Sequence, residues 1–551
     1  LIYSNLTNLY QELLTDWLTY ADRTGTAREN AFYHVAQATA FTGDSPSSQP
    51  VNWFWNVQRG PATGTANFRN LTSAARDGNA GDVPLGGVGE TVLLGYTERF
   101  RELNITLSRP AATGWQGVLE YVSAVDSAGQ PTQWKTLSTL TNATNGLKLS
   151  GQVPSDPPAD WKTAVVPGST APLYYVRWRT TSGTEASAPI LSSVLGRDYV
   201  NARGSARGTI PAFDSAADLD RDGYLNATEF AQRRSGFEAR FAYESRLFYP
   251  NYGQMRFVTN PSGDGVSAWA ADYSVRYLAS QPLASGLFID NSGGNAPTDG
   301  AVLLESIDTY AAGYGMMLGE VNRAISPRWV LANIAGGGKD ADRVVRQVPA
   351  SLDEFVLRPL AHSWSQFRDT ADIVSRRLSL TEPPGFLMLD TLSTGGSPTD
   401  PRTQLAALSY YYLLADPEAT FLMTWGGEEP ASTWARHWFN AIGYNVGKPT
   451  ASWSQWATGT DPANANLTYQ VMQRTYENAL IFYKPLSAAT GRGTGTTADN
   501  TVTEHVLNGT YRPLNADGTL GAPITKLRLR NGEGAILVNN EGKRFYNEME
   551  T

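Results

Sequence analysis

The sequence contains no cysteine and only four histidines, namely His34, His362, His437 and His505. Without cysteine, disulfide bonds, thiolate catalysis and zinc–thiolate sites are all excluded. The scattered histidines do not form a zinc-binding cluster in the sequence. The chain also lacks any run of about 18 consecutive apolar residues, so we predict no segment that spans a membrane.

Charged residues are scarce as well, at 17% of the chain, and the net charge is −8. Binding to nucleic acid requires a clustered basic surface, so we expect no nucleic-acid partner. The sequence is instead rich in glycine, proline and aromatic residues, with 52 Gly, 31 Pro and 26 Tyr. At 551 residues, this composition indicates a loop-rich protein of several domains.

The run DLDRDGYLNATE, residues 218–229, fits the calcium-loop pattern D-x-D-x-D-G-x5-E. Carboxylates on alternating residues, a glycine at the turn and a distant glutamate supply the oxygen ligands that calcium prefers. The predicted metal ligands are the side chains of Asp218, Asp220, Asp222 and Glu229, the carbonyl of Tyr224, and Asn226 through a water molecule. We therefore predict one Ca²⁺ here, and such loops suit an extracellular or cell-surface protein.

The hydrophobic periodicity divides the chain into four regions. Residues 1–65 are predicted as a helix and strands that serve attachment or an interface. Residues 66–195 read as a β-sandwich, a binding or attachment module. Over 196–465, short apolar strands alternate with amphipathic helices, which predicts a central (β/α)8 TIM-like barrel. Residues 466–551 are predicted as a small antiparallel β domain, so the fold class is multidomain α/β plus all-β.

In a barrel, polar side chains at the carboxyl ends of the strands converge on a ligand. The strand ending in LFIDNSGG exposes Asp290, which we predict as a catalytic nucleophile or base. Asp390, in LMLDT, and Glu244, in FAYES, are alternative proton donors. Glu354 is placed at the beginning of the strand EFVLRPLA, so no acid is expected where that strand ends.

Other polar or aromatic residues at predicted strand ends are candidates for substrate binding. They are Asn260, Asn333, Arg358, His362, Trp425 and Glu428. Three of them have a structural alternative that the sequence leaves open. Arg358 could form an ion pair in the barrel mouth, His362 could pack in a loop, and Trp425 could fill the core.

The predicted barrel resembles glycoside-hydrolase-like (β/α)8 proteins of bacteria over about residues 200–540. The resemblance lies in the run from Gly286 to Asp290, GLFID, and in QRTYENALIFYKP, which contains Arg474 and Asn478. It implies a glycosidase fold in which two carboxyl groups cleave a glycosidic bond.

Residues 66–195 resemble β-sandwich modules of bacterial surface and phage-tail-associated proteins. The resemblance lies in LLGYTERFRELNITL, in the W-x-x-L from Trp134 to Leu137, and in YYVRWRT. Such modules imply attachment or contact with carbohydrate.

Two functional hypotheses follow. The first is a secreted, calcium-stabilised glycoside hydrolase that acts on a polysaccharide or cell-surface glycan. The alternative is a structural or adhesive surface protein, a homo-oligomer or filament subunit built on an inactive barrel. The carboxylates at strand ends favour the first hypothesis, whereas the N-terminal helix and the tail-like module favour the second.

Overall fold

The computed structural model describes residues 1–34, 54–64, 67–77, 83–169, 171–196, 212–251, 254–296, 303–334, 338–392, 399–425, 438–489 and 502–539. The chain forms two compact units. The parallel-sheet unit contains Leu1–Leu6, Ala270–Asn295 and Asp308–Thr551, and the sandwich unit contains Thr7–Trp269 and Ala296–Ile307. Strand β1 (Ile2–Ser4) belongs to the first unit and β2 (Asn8–Leu9) to the second. The fold is mixed α/β, as the sequence predicted at this coarse level.

Eight α-helices lie in the described residues. They are α1 (Gln11–Thr24), α2 (Ala74–Asp77), α3 (Ala227–Gln232), α4 (Val266–Ala279), α5 (Tyr310–Ala324), α6 (Lys339–Val345), α7 (Trp364–Leu380) and α8 (Pro401–Leu414). Helix α7 begins with a capping box, because Ser363 and Gln366 each accept the other's backbone amide. Helix α8 begins at Pro401, and the preceding Asp400 accepts the amide of Thr403.

Two antiparallel sheets form most of the sandwich unit. Their strands are β3 (Asn56–Pro61), β4 (Arg69–Asn70), β5 (Val83–Pro84), β6 (Glu90–Tyr96), β7 (Glu102–Arg109), β8 (Gln116–Val125), β9 (Pro131–Thr136), β10 (Gly151–Pro154), β11 (Thr163–Ala164), β12 (Leu173–Ser182) and β13 (Ile190–Leu195). One sheet has the order β4-β3-β6-β12-β8-β9, with β11 paired to β12, and the other has the order β10-β7-β13-β5. Both sheets contribute to one core, where Trp161 contacts Phe100 and Tyr121.

Strand β13 corrects the predicted boundary between sandwich and barrel. The sequence predicted SVLGRDYV as the first barrel strand. In the structure, Ile190–Leu195 pairs antiparallel with β7 and β5, so these residues belong to the sandwich. Strand β3 also pairs with β6, which places the start of the sandwich before residue 66. The error arose because a hydrophobic pattern indicates that a segment is a strand but not which strand it pairs with.

A three-stranded antiparallel sheet also lies in the described part of the sandwich unit. Strand β14 (Phe248–Asn251) pairs with β15 (Gln254–Val258), and β15 pairs with β2. These segments were predicted as parallel barrel strands, which is wrong. Only two residues separate β14 from β15, too few for the crossover connection that parallel strands need.

A buried charge network lies in the same unit. The fully buried Arg246 donates to both oxygens of Glu29, at 2.6 and 2.9 Å, and to both oxygens of Glu98, at 2.8 and 2.9 Å. His34 lies between Glu29 and Glu305, 2.9 Å from the first and 2.6 Å from the second. Burial alone would raise the pKa of Glu29, but the charge of Arg246 and the hydrogen bonds from Arg246 and His34 together outweigh burial and lower that pKa to about 2.

Among the described residues, the parallel-sheet unit is centred on six parallel strands. After β1 they are β16 (Gly286–Ile289), β17 (Trp329–Asn333), β18 (Ala350–Leu357), β19 (Phe386–Leu392) and β20 (Thr420–Trp425). Their order is β1-β16-β17-β18-β19-β20. Helices α5, α6, α7 and α8 each lie between two successive strands from β16 to β20, which is the βα alternation that the sequence predicted.

The described sheet nevertheless differs from the predicted barrel. Its first strand is Ile2–Ser4, which the sequence had assigned to an attachment segment. This strand pairs in parallel with β16, with Tyr3 opposite Phe288. Within the described ranges the sheet has six strands rather than the eight of the predicted (β/α)8 arrangement. A three-residue strand is too short to show a period in sequence, so β1 was missed.

An antiparallel sheet forms the C-terminal part of the same unit. Its strands are β21 (Ser454–Asp461), β22 (Asn464–Thr475), β23 (Ala479–Lys484), β24 (Thr503–Pro513), β25 (Ile524–Leu529) and β26 (Glu533–Asn539), in the order β21-β22-β23-β26-β24-β25. The sheet starts at Ser454, earlier than the predicted boundary at 466. Buried residues of α7, α8 and this sheet share one hydrophobic cluster. None of the described helices is both long and apolar enough to cross a membrane.

Candidate functional site

Three adjacent parallel strands place polar side chains on one face of the sheet. The pairing of β16 with β17, and of β17 with β18, is regular up to Asn333. Because paired residues point the same way and side chains alternate along a strand, Asp290, Asn333 and Glu354 share one face. They lie toward the carboxyl ends of the strands, where open parallel sheets bind ligands.

Asp290 directly follows β16, and both of its carboxylate oxygens accept hydrogen bonds. Oδ1 accepts the backbone amide of Asn291 at 2.8 Å and Nδ2 of Asn333 at 2.9 Å. Oδ2 accepts the hydroxyl of Tyr3 at 3.0 Å and Nδ2 of Asn291 at 3.3 Å. Tyr3 and Asn333 come from the two strands that flank β16, so they hold the carboxylate from both sides.

Asn333 connects Asp290 to a second carboxylate. Its Nδ2 lies 2.9 Å from Asp290 Oδ1 and 2.7 Å from Glu354 Oε2. The sum of these distances, 5.6 Å, is the upper limit for the separation of the two oxygens. Asn333 is 4% exposed, so packing holds its amide in place. Asp290 and Glu354, which we call the carboxylate pair, can therefore act on the same bond.

The position of Glu354 corrects the assignment of its strand. The sequence was interpreted as a strand beginning near Glu354, with no acid at its exit. In the structure β18 already begins at Ala350, and its pairing with β19 becomes irregular after Asp353. Bulges of this kind redirect side chains next to functional sites. Glu354 is exposed and contacts Asn333, whereas Asp353 is buried and lies 2.9 Å from Arg377.

Asp390 is less suited to the predicted role of proton donor. It was expected to end its strand, but it lies inside β19, opposite Met423 of β20. The register puts it on the face of the carboxylate pair, yet its side chain is 1% exposed. Since a proton donor must reach the substrate, the exposed Glu354 fits this role better.

Glu244 and Asn260 belong to the sandwich unit, whereas Asp290 belongs to the parallel-sheet unit. Glu244 was predicted near a strand end, but it lies in the 3-10 helix Ala242–Glu244 and accepts the amide of Arg240 at 3.0 Å. The side chain of Asn260, after β15, accepts the amide of Ser262 at 3.2 Å. Neither residue ends a strand of the parallel sheet, because the segments that carry them do not join that sheet.

The remaining predicted binding residues lie after β18 and β20. Arg358 is exposed, and Nδ1 of His362 lies 2.9 Å from the hydroxyl of Tyr410. Burial, and then the charge of Arg358, lower the pKa of His362 to about 4, so His362 is a neutral, packed residue. Trp425 is the last residue of β20, but its side chain and the whole of Glu428 lie outside the described residues.

The loop 218–229 gathers three carboxylates. Ligand oxygens of Asp218, Asp220 and Asp222 lie within 4.8 Å of one another. Gly223, at φ 79°, adopts the left-handed conformation that the turn needs, and its amide donates to Asp218. Burial, together with the charge of Asp222, raises the pKa of Asp218 to about 7. A group of carboxylates of this kind fits a hard cation such as calcium.

The other predicted metal ligands have contacts within the same unit. Asn226 is the N-cap of α3 and accepts the amide of Glu229, whose Oε2 accepts the Asn226 amide. Tyr224 forms a β-bridge with Phe241. Oδ2 of Asp222 lies 2.5 Å from Arg99, so this carboxylate also forms an ion pair.

No family model matches the chain, and no curated protein matches it. Among solved structures, the chain is similar to the alpha-galactosidase TtGalA from Thermus thermophilus in complex with stachyose, at 13% identity and a TM-score of 0.17, with 54% of this chain and 86% of that chain covered. The complex of TtGalA with p-nitrophenyl alpha-D-galactopyranoside gives 12% identity, the same TM-score of 0.17, and coverage of 54% and 81%. A TM-score this low supports no conclusion about fold or function.

The sequence interpretation missed two residues that contact this site. Tyr3 lies in a three-residue strand and is 287 positions from Asp290, so no local pattern could indicate it. For Glu354 a signal was present, since Ala350 and Leu352 alternate with polar residues ahead of it. A strand that starts at Ala350 would have placed Glu354 toward the strand's exit.

Proposed function

We propose that the protein is a glycoside hydrolase that cleaves a polysaccharide with retention of anomeric configuration. The proposal rests on the amide of Asn333, which holds Oδ1 of Asp290 and Oε2 of Glu354 no more than 5.6 Å apart. Retaining glycosidases keep their two carboxyl groups about 5–5.5 Å apart, whereas inverting enzymes leave about 6.5–9.5 Å for a water molecule. The spacing of the carboxylate pair supports the retaining mechanism.

In this mechanism Asp290 is the nucleophile and Glu354 is the acid and then the base. An Asp290 oxygen donates a lone pair to the anomeric carbon while the bond to the glycosidic oxygen breaks. The electron pair of that bond leaves with the oxygen, which takes a proton from Glu354. A water molecule then attacks the same carbon, gives its proton to Glu354 and releases Asp290 as a carboxylate.

The surroundings of the two residues support this division of roles. Asp290 is half-buried and accepts four hydrogen bonds, which orient a charged nucleophile before the reaction begins. Glu354 is exposed, so its carboxyl group can meet both a leaving group and water.

A panel of polysaccharides and aryl glycosides tests the proposal. On any substrate that the parent cleaves, we expect Asp290→Asn to lower kcat by at least about 10³-fold. Glu354→Gln should lose less activity on aryl glycosides than on polysaccharides, because the aryl leaving groups need no proton. Asp390→Asn is the matched control and should stay within about 10-fold of the parent.

Wild-type rates in both Asp290→Asn and Glu354→Gln would refute the assignment. If the parent cleaves nothing in the panel and instead assembles into ordered homo-oligomers or filaments, the structural alternative replaces the proposal.

We also propose that the loop 218–229 binds one Ca²⁺ and that the protein acts outside the cell or at its surface. The grouped oxygens of Asp218, Asp220 and Asp222 support the metal site. Calorimetric titration with Ca²⁺ should show one site in the parent. Asp220 is exposed, so Asp220→Ala should weaken binding without unfolding the protein, and equal binding by the variant would contradict the proposal.

A further inference from the structure

The hydroxyl of Tyr3 donates to Oδ2 of Asp290 at 3.0 Å, although the two residues are 287 positions apart in sequence. Strand β1 pairs with β16 so that Tyr3 lies opposite Phe288, two residues before Asp290. Residues at such diagonal positions on one face of a sheet are within reach of a long aromatic side chain. The contact therefore follows from the strand register.

Tyr3 and Asn333 bind different oxygens of the same carboxylate. Tyr3 donates to Oδ2 from β1, and Asn333 donates to Oδ1 from β17. Because these strands lie on opposite sides of β16, the two bonds together restrict rotation of the carboxylate about the Cβ–Cγ bond. Asn333 also binds Glu354, so the orientation of Asp290 is set relative to its proposed partner.

We infer that Tyr3 is a positioning residue for the nucleophile Asp290, an inference that rests on the proposed function. Its hydroxyl holds Oδ2 while the other oxygen stays bound to Asn333, which keeps the carboxylate aligned with the anomeric carbon in both steps. The Tyr3 hydroxyl thus connects β1 to Asp290, whereas the sequence had assigned this strand to an attachment segment. The Tyr3 hydroxyl is occupied by Asp290, so it contributes to orientation more than to substrate affinity.

Tyr3→Phe tests the inference, with Tyr277→Phe as the matched control. The Phe variant keeps the ring that packs 6.0 Å from Phe288 and removes only the hydroxyl. Tyr277 donates to the backbone carbonyl of Tyr3 at 3.4 Å. Its hydroxyl therefore supports the same strand through the backbone, whereas the Tyr3 hydroxyl binds the carboxylate of Asp290. Steady-state kinetics and thermal melting are measured for both variants on a substrate that the parent cleaves.

We expect Tyr3→Phe to lower kcat by about 10-fold to 100-fold, the usual effect of removing a hydrogen bond to a charged group, with KM nearly unchanged. Its melting temperature should match that of the parent, and Tyr277→Phe should keep the parent kcat. An unchanged kcat in Tyr3→Phe overturns the inference and leaves the proposed function standing. Equal losses of kcat and melting temperature in both variants also overturn it, because they indicate a purely structural role. Full activity of Asp290→Asn overturns the proposed function and this inference with it.

Discussion

Replacing His34 with glutamine tests the buried charge network of the sandwich unit. Both ring nitrogens of His34 face carboxylates, Glu29 at 2.9 Å and Glu305 at 2.6 Å, and the side chain is 6% exposed. Burial lowers the pKa of His34, but the hydrogen bonds to Glu29 and Glu305 outweigh burial and raise the pKa to about 9. Folded His34 therefore keeps a proton that the unfolded chain releases near the ordinary histidine pKa of about 6.5.

The sign of the effect on stability follows from this difference. A group with a raised pKa in the folded state stabilises the fold fully below its unfolded pKa, and this contribution is lost as the pH rises through the folded pKa. For His34 the loss occurs between about pH 6.5 and pH 9. A difference of about 2.5 between the two pKa values corresponds to about 3 kcal/mol in the free energy of unfolding. Because the side chain of His34 is only 6% exposed, solvent screens this contribution little.

Urea unfolding at about pH 6 and about pH 10, in excess calcium, measures this contribution. Between the two pH values, the free energy of unfolding of His34→Gln should fall by about 3 kcal/mol less than that of the parent, because glutamine does not titrate. His362→Gln is the control: the pKa of folded His362 is lowered to about 4, so between the two pH values this residue titrates only in the unfolded chain, and its variant should lose slightly more stability than the parent, by about 1 kcal/mol at most. The same loss in His34→Gln and the parent would refute the account of the network.

Three further results are expected. Chelation of calcium should lower the melting temperature, by linkage of about 3 kcal/mol where free Ca²⁺ had been about 100-fold above Kd, and an unchanged melting curve would count against the metal site. Trp161→Ala should cost about 3–5 kcal/mol in urea unfolding, since Trp161 is 2% exposed within the sandwich core; a loss below about 1 kcal/mol would contradict that packing. Asn333→Ala should lower kcat by about 100-fold or more, because it removes the donor shared by Asp290 and Glu354, and wild-type kinetics would exclude that role.

The sequence predicted strands most accurately from β16 onward, where apolar runs alternate with helices. The run GLFID became β16 followed by Asp290, and the segments at β17, β19 and β20 are strands as expected. Such runs are typical of strands buried on both faces, and their period is distinct from that of the intervening helices. Asn333 was also identified in advance as a polar residue at a strand end.

The strand partners were harder to predict than the strands. Ile190–Leu195 joins the sandwich, β14 and β15 form an antiparallel pair, and Ile2–Ser4 joins the parallel sheet. Each of these outcomes depends on contacts between segments distant in sequence or on the exact connection between strands, neither of which leaves a local pattern. For the same reason Glu244 was grouped with Asp290, and Tyr3 was not.

The register of β18 shows how a small error in a boundary changes a functional interpretation. Starting the strand near Glu354 instead of Ala350 placed this glutamate at the wrong end of the strand. The pairing of β18 with β19 also shifts register after Asp353, so the strict alternation of inward and outward side chains does not hold there. Asp390 was chosen for a separate reason, because its strand was expected to end there, whereas β19 continues to Leu392.

The most direct test of the central claim is trapping of the covalent intermediate. The protein is incubated with activated 2-deoxy-2-fluoro glycosides that match its substrate, and the labelled peptide is identified by mass spectrometry. The account predicts one sugar attached to Asp290 in the parent, and no label at this position in Asp290→Asn. A label on Glu354 or Asp390, or hydrolysis with inverted configuration and no trapped intermediate, would contradict it.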